Sequence, residues 1–352
     1  MQVCGCLKGV RCEQQDFIKF FMRTLMASPD ATLESQAFAA RLTKAALTFL
    51  LIGLAMLSTG CMHPLPVLRD MGQATLLAAG IHSEYADVGP NRIHYYAGGN
   101  GPPVVFVHGL GADATNWIEQ LIAIKHRGHR VYAVDLLGHG RSAKPDISYT
   151  IQDQSEMLRQ FLAGQDIHSV DLVGVSMGGW IVLNFAIEHP EMVRRVVVAD
   201  AAGLLFKTNI TADTFLPQTP AQFQQFWALL SPHPLPGENI IGRDFIREQD
   251  KRAWIIRRIF VAFQEHTDLL NGRLQDVRAP VLILWGKQEK LIPLSVGEEM
   301  HRDLPQSSLL ICPDSGHLAV FECWRRFAPA VENFLSAAEP PPPSMREVPA
   351  KK

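Results

Sequence analysis

From about residue 85 the chain alternates short runs of β-branched and apolar residues with stretches whose apolar positions recur every three or four residues. The short runs fall at 92–96, 104–107, 131–135, 170–175, 193–199, 281–285 and 308–312, and each predicts a strand. The longer stretches, at 114–125, 151–162, 177–188, 295–303 and 324–336, predict amphipathic helices. Val104-Val105-Phe106-Val107 and Val281-Leu282-Ile283-Leu284-Trp285 show no polar alternation, as a strand covered on both faces requires. Strand and helix in turn predict an α/β fold, with a mostly parallel central sheet and helices on both faces. The alternation lapses once. Between Asp200 and Val281 there are only helical stretches, at 220–230 and 243–266, around a Pro-rich loop at 231–237. That excursion is too long for a simple crossover and predicts a helical cap inserted into the sheet domain. The expected organisation is a core of 85–204 and 276–338, a cap of 205–275, a linker of 61–84 and a solvated Pro-rich tail of 339–352.

Upstream of the linker the pattern changes character. Residues 45–62 carry no charge, Arg41 and Lys44 stand directly before them, and Leu57-Ser58-Thr59-Gly60 leads to Cys61. A positive flank, a short apolar run and small residues read as a secretory signal. Residues 1–60 are therefore expected to be a leader, with an over-extended start, since Met22 and Met26 also offer starts. The same stretch also suits an uncleaved membrane anchor or a buried helix, although Pro64 and Pro66 follow at once. Both leading readings place the following domain outside the cytoplasm and hold it to a membrane. Cys312 and Cys323 could pair in an oxidising compartment, but nothing in the sequence brings them together, so free buried thiols are expected.

Composition narrows the functional classes. With 33 basic and 35 acidic residues and no basic stripe interleaved with aromatics, a nucleic-acid partner is not expected. The 47% hydrophobic content excludes a disordered chain and supplies ample core.

Chemistry enters at Val173-Gly174-Val175-Ser176-Met177-Gly178-Gly179, a Gly-x-Ser-x-Gly between a strand pattern and a helix pattern. A serine on such a sharp turn is pushed into the open, and the glycines relieve the crowding around it, so Ser176 is the candidate nucleophile. A serine hydroxyl needs a base, and the base an orienting acid. His317, in Ser315-Gly316-His317 after the last strand pattern, supplies the base in the expected order. Glu289, closing Trp285-Gly286-Lys287-Gln288-Glu289, supplies the acid. For the developing oxyanion, the candidate donors are the Leu110 N–H, in His108-Gly109-Leu110-Gly111, and the Met177 N–H at a helix start.

The span from 85 to 335 resembles the α/β-hydrolase fold serine hydrolases. The resemblance rests on His108-Gly109-Leu110-Gly111, Asp135-Leu136-Leu137-Gly138-His139-Gly140-Arg141-Ser142, Gly174–Gly178, Trp285–Glu289 and Gly316-His317, all in family order. Within that superfamily, Val175-Ser176-Met177-Gly178-Gly179, Asp200-Ala201-Ala202-Gly203, Trp285-Gly286-Lys287-Gln288 and the leader are similar to bacterial lipase-1-type triacylglycerol lipases and membrane-anchored monoacylglycerol lipases. Cys61 then resembles the acylated cysteine of a lipobox, with Leu57 one place too early for the usual pattern. The resemblance implies an α/β-hydrolase fold, ester hydrolysis through an acyl-enzyme on Ser176, and no metal or organic cofactor. It also excludes epoxide hydrolases and dehalogenases of this fold, which use an aspartate nucleophile. One departure is Glu289, where the family usually has Asp. Asp200, at the position some relatives use, is the alternative acid, or else a loop residue shaping the pocket floor.

Phe215, Leu216, Phe223, Phe226, Trp227, Leu229 and Leu230 give the cap enough apolar surface either for an acyl chain or for its own core. A tethered enzyme with an apolar entrance is expected to act on lipid-derived esters, acylglycerols foremost. The competing expectations are a carbon–carbon bond hydrolase of ring-cleavage products, a cofactor-free haloperoxidase or acyltransferase, and a hydrolase-fold binding protein.

Overall fold

The computed structural model describes residues 64–350 apart from 250 and 266. The leader and Cys61 lie outside the described residues, within which no helix is long and apolar enough to cross a membrane. The described chain runs α1 (Pro64–Ala78), β1 (Ile81–Val88), β2 (Asn91–Gly98), β3 (Pro103–Val107), α2 (Ile118–His126), β4 (Arg130–Val134), α3 (Ile151–Gly164), β5 (Val170–Val175), α4 (Met177–Glu188) and β6 (Val193–Ala199). The cap helices α5 (Pro220–Leu230), α6 (Glu238–Gln249) and α7 (Ala253–Gln264) follow. The chain then returns through β7 (Val281–Gly286), α8 (Leu294–Asp303), β8 (Ser307–Cys312), α9 (Ala319–Glu322), α10 (Trp324–Ser336) and β9 (Met345–Glu347).

The strands form one sheet in the order β1-β2-β4-β3-β5-β6-β7-β8-β9. Only the β1–β2 and β2–β4 pairs are antiparallel. Along the parallel strands alternate side chains enter opposite cores. Val105, Val107, Leu172, Val196 and Ile283 pack with α3, α4 and α8, while Val104, Phe106, Val173, Val197, Leu282 and Leu284 pack with α2 and α10. That two-sided burial is why these strands read as continuous apolar runs. The register aligns their C-terminal ends: Val107 pairs with Gly174, Val175 with Ala199, Ala199 with Leu284, and Gly286 with Cys312. The residues that follow β3, β5, β6, β7 and β8 therefore emerge along one edge, where open α/β sheets bind ligands.

Three expectations change. The linker is ordered: α1 and the start of β1 occupy it, and the sheet begins at Ile81 rather than 85. α1 buries only Pro64, Gly72 and Leu76, and β1 is exposed along most of its length, so neither carries a strong apolar period. The tail contributes β9, three exposed residues held by pairing with the β8 edge rather than by burial. Cys312 and Cys323 are joined in a disulfide, because the chain folds back from the end of β8 to the start of α10 and brings their Cα atoms to 6.4 Å.

In the cap, the helical stretch expected at 243–266 divides between α6 and α7. Phe223, Phe226 and Leu216 are buried, and Phe215, Phe223, Phe226, Phe245 and Phe260 form successive ring contacts at 5.3–6.5 Å between centroids. These aromatics thus serve first as the cap's own core.

The turn from β5 into α4 fixes the edge at its centre. A Cβ on Gly178 would overlap the Val107 carbonyl oxygen and stand 2.6 Å from that of His108; one on Gly174 would overlap the Gly178 carbonyl. Only glycines let α4 start this close to β3. Gly178→Ala is therefore expected to cost more than about 3 kcal/mol in urea denaturation. Gly164→Ala, whose Cβ meets nothing within 4 Å at the end of α3, is expected to be neutral or stabilising by up to about 1 kcal/mol.

Candidate active site

Ser176 sits between β5 and α4 at φ 55°, ψ −122°, a conformation that non-glycine residues rarely adopt and that costs about 1–3 kcal/mol. The surrounding backbone holds it there. Its N–H donates to the Ala199 carbonyl at 2.9 Å, and its own carbonyl accepts from the Trp180 and Ala202 N–H groups at 3.2 and 3.1 Å. Gly109 flanks the hydroxyl, since a Cβ there would lie 3.7 Å from Ser176 Oγ. The loop carrying Leu110 thus passes beside the serine. Met177 is the first residue of α4, so its N–H has no acceptor within the helix and lies at the positive end of the helix dipole.

Glu289 and His317 come together from the loops after β7 and β8. Glu289 Oε2 accepts from His317 Nδ1 at 2.7 Å, with both side chains buried. The other oxygen, Oε1, accepts from the Leu291 and Ile292 N–H groups at 2.6 and 3.2 Å, which fixes the carboxylate plane. The two loops are also tied through their backbones, by Lys287 N–H to the Cys312 carbonyl at 2.8 Å and Gln288 N–H to the Ser315 carbonyl at 2.9 Å. Burial pushes the His317 imidazolium down, but the Glu289 charge and hydrogen bond, with Asp200 behind them, outweigh it, so its pKa is raised. Among the described residues no hydrogen bond joins Ser176 Oγ to His317. Such contacts are often long without substrate.

Asp200 does not reach the histidine by a hydrogen bond. At φ 43° after β6 and fully buried, it accepts through Oδ1 from the Gly286 N–H at 2.9 Å and through Oδ2 from the Ala319 N–H at 3.2 Å. It therefore pins the strand end that leads to Glu289 to the segment that follows His317. Burial, then the Glu289 charge, pushes its carboxyl well above the usual range.

A second buried cluster supports the loop that carries Leu110, and sequence reasoning assigned it no role. Asp135 Oδ1 accepts from the Ala114 N–H at 2.7 Å, while Oδ2 takes His94 Nδ1 at 2.7 Å and the Arg141 N–H at 2.8 Å. Burial pushes this carboxyl up, but the hydrogen bonds from His94 and the Arg141 N–H outweigh it and hold it at about 2. His108 Nδ1–H donates to the Gly109 carbonyl at 2.8 Å, and its Nε2 accepts from the Leu136 N–H at 3.1 Å, which requires the neutral ring that burial also favours. The run from Asp135 to Ser142 was visible as a motif, but His94 was one polar residue in a strand and gave no signal. Glu322, likewise unforeseen, accepts from Ser231 of the cap and from Ser315, linking the cap to the loop that carries His317.

The alpha/beta hydrolase family model matches residues 104–330, which include Ser176, Glu289 and His317. The chain is 29% identical over 268 residues to 2-hydroxy-6-oxo-6-(2'-aminophenyl)hexa-2,4-dienoic acid hydrolase of Metapseudomonas resinovorans, covering 72% of this chain and 90% of that protein. Its fold superposes on that of a bacterial membrane phospholipase A with a TM-score of 0.68 and 26% identity, over 82% of this chain and 99% of that one. A putative lipase of Acinetobacter baumannii gives a TM-score of 0.69 at 22% identity, over 76% and 95% of the two chains. The chain belongs to the alpha/beta hydrolase family, and it is a hydrolase.

Proposed function

We propose that the protein is a serine esterase that hydrolyses carboxylic esters, lipid-derived acylglycerols foremost, through an acyl-enzyme on Ser176. The observation that carries this reading is the buried Glu289–His317 hydrogen bond at the same sheet edge as the strained Ser176 turn. Ser176 Oγ attacks the acyl carbonyl while His317 Nε2 takes its proton. Glu289 holds the ring in the Nδ1–H tautomer and stabilises the imidazolium that forms. The Leu110 and Met177 N–H groups receive the oxyanion. His317 then passes its proton to the leaving alkoxide, and water, deprotonated by the same ring, releases the acid and restores the serine. Likeness to a membrane phospholipase A and a putative lipase supports the ester class. Tethering through an acylated Cys61 suits a substrate drawn from a lipid surface.

A second reading has its own support. The relative from Metapseudomonas resinovorans is named for the cleavage of a hydroxy-oxo-dienoic acid, and the same serine and histidine can serve carbon–carbon bond hydrolysis. A substrate panel separates the two. Monoacylglycerols or p-nitrophenyl esters are expected to turn over with higher kcat/KM than a ring-cleavage diketo acid, with a loss of at least about 10³-fold in Ser176→Ala. Preference for the diketo acid would transfer the assignment to the second reading.

The acid can be tested separately. Glu289→Gln is expected to lower kcat by about 10²–10⁴-fold, since the ring loses its orienting charge. Because His317 must be neutral to act as base and its pKa is raised, activity is expected to fall as the pH drops through that raised pKa. Glu289→Gln removes the main upward influence, so its residual activity should persist to lower pH. Asp200→Asn is expected to leave kcat within about tenfold while costing about 1–3 kcal/mol of stability, since its amide places an N–H₂ against one of two backbone donors. A kcat collapse in Asp200→Asn with an intact Glu289→Gln would make Asp200 the acid.

A further inference from the structure

Beside the loop that carries Leu110, and outside the serine–histidine–glutamate cluster, lies a cavity of about 240 Å³ between β2, the loop after β4, α1 and the cap segment between α6 and α7. Its charge inventory is unbalanced. Of its three carboxylates, Asp135 is committed to His94, Glu248 lies 3.2 Å from Lys251, and Asp113 caps the turn at Thr115 and lies 3.9 Å from Arg69. Arg141 and Arg252 line the same cavity with no ion-pair partner among the described residues, and Lys144 donates only to the Gly140 and Ser142 carbonyls. Arg252 Nη1 donates to the Gly111 carbonyl at 3.0 Å, and among the described residues its guanidinium makes no other hydrogen bond.

A second observation is independent of charge. Tyr96 lines the cavity, the residue is 2% exposed, and among the described residues its buried hydroxyl oxygen has no hydrogen-bond partner. A buried hydroxyl without a partner costs about 1–3 kcal/mol, so it signals a missing acceptor. Burial pushes this phenol up to about 12, so it stays an O–H donor at neutral pH.

We propose that this cavity binds a phosphate group, with Tyr96 Oη–H and the guanidinium groups of Arg141 and Arg252 as donors. Donors arriving from β2, from the loop after β4 and from the cap suit a tetrahedral anion better than a planar carboxylate. Guanidinium forks match phosphate oxygens in pairs. The volume is below the roughly 300–1,000 Å³ of pockets that enclose whole drug-sized ligands, so the cavity holds an anionic group rather than an entire lipid. The phosphate comes either free from solution or as the headgroup of a phospholipid.

The test uses the full chain carrying Ser176→Ala, so that its outcome is independent of the esterase reading. Calorimetric titration with inorganic phosphate is expected to show one saturable site. Tyr96→Phe should weaken it about fivefold, the worth of one neutral hydrogen bond, and Arg141→Gln at least about tenfold. Tyr96→Phe removes an unpaired hydroxyl, so its Tm should be unchanged or higher, which separates a ligand role from a structural one. Phosphatidylcholine vesicles with and without phosphatidic acid form the second arm. Binding that depends on phosphatidic acid and weakens in both variants, with free phosphate silent, identifies the headgroup as the source. Absence of binding to either probe, or binding that both variants leave unchanged, overturns the proposal.

Discussion

The site depends on one steric constraint, the close approach of α4 to the end of β3. Gly174 and Gly178 leave no side chain where the Val107 and Gly178 carbonyls sit, and that absence lets the chain turn from strand to helix within a single residue. Ser176 takes up the strain of the turn at φ 55°. Its hydroxyl is left beside Gly109, with a helix N-terminus directly after it. The parallel register then matters, because it brings the ends of β6, β7 and β8 level with that turn.

Three buried carboxyl groups stand along this edge, and their surroundings give them different tasks. Asp135 faces His94 and backbone donors that favour its charge, and it anchors the segment that follows Leu110 and Gly111. Asp200 has backbone donors but also the Glu289 charge nearby, and burial drives it toward the protonated form; it ties two loops together. Glu289 alone of the three is hydrogen-bonded to His317. Its extra methylene, relative to aspartate, is accommodated by two N–H groups of the following turn, Leu291 and Ile292, which receive the oxygen facing away from the ring.

Much of this was legible in the sequence because the demands are local. A strand buried on both faces must be apolar throughout, and a strand-to-helix turn this tight must have glycine at 174 and 178. Glu289 and His317 could be located because each follows an apolar strand run in a fixed order. What escaped depends on contacts between distant segments. α1 and β1 are mostly exposed, so their pattern is faint. The Cys312–Cys323 disulfide exists because a loop folds back, which spacing does not encode. His94 and Tyr96 are ordinary polar and aromatic residues of β2, and their surroundings exist only once α1, the loop after β4 and the cap have closed over them.

The central claim is that Ser176 is a nucleophile activated by His317 and Glu289. The most direct measurement is the rate and position of covalent labelling by a fluorophosphonate, with the adduct located by peptide mass spectrometry. The account predicts a single adduct on Ser176, with a labelling rate that falls at acid pH and drops by at least about 10²-fold in Glu289→Gln. An adduct on another residue, or a Ser176 that labels no faster than an exposed serine, would contradict it.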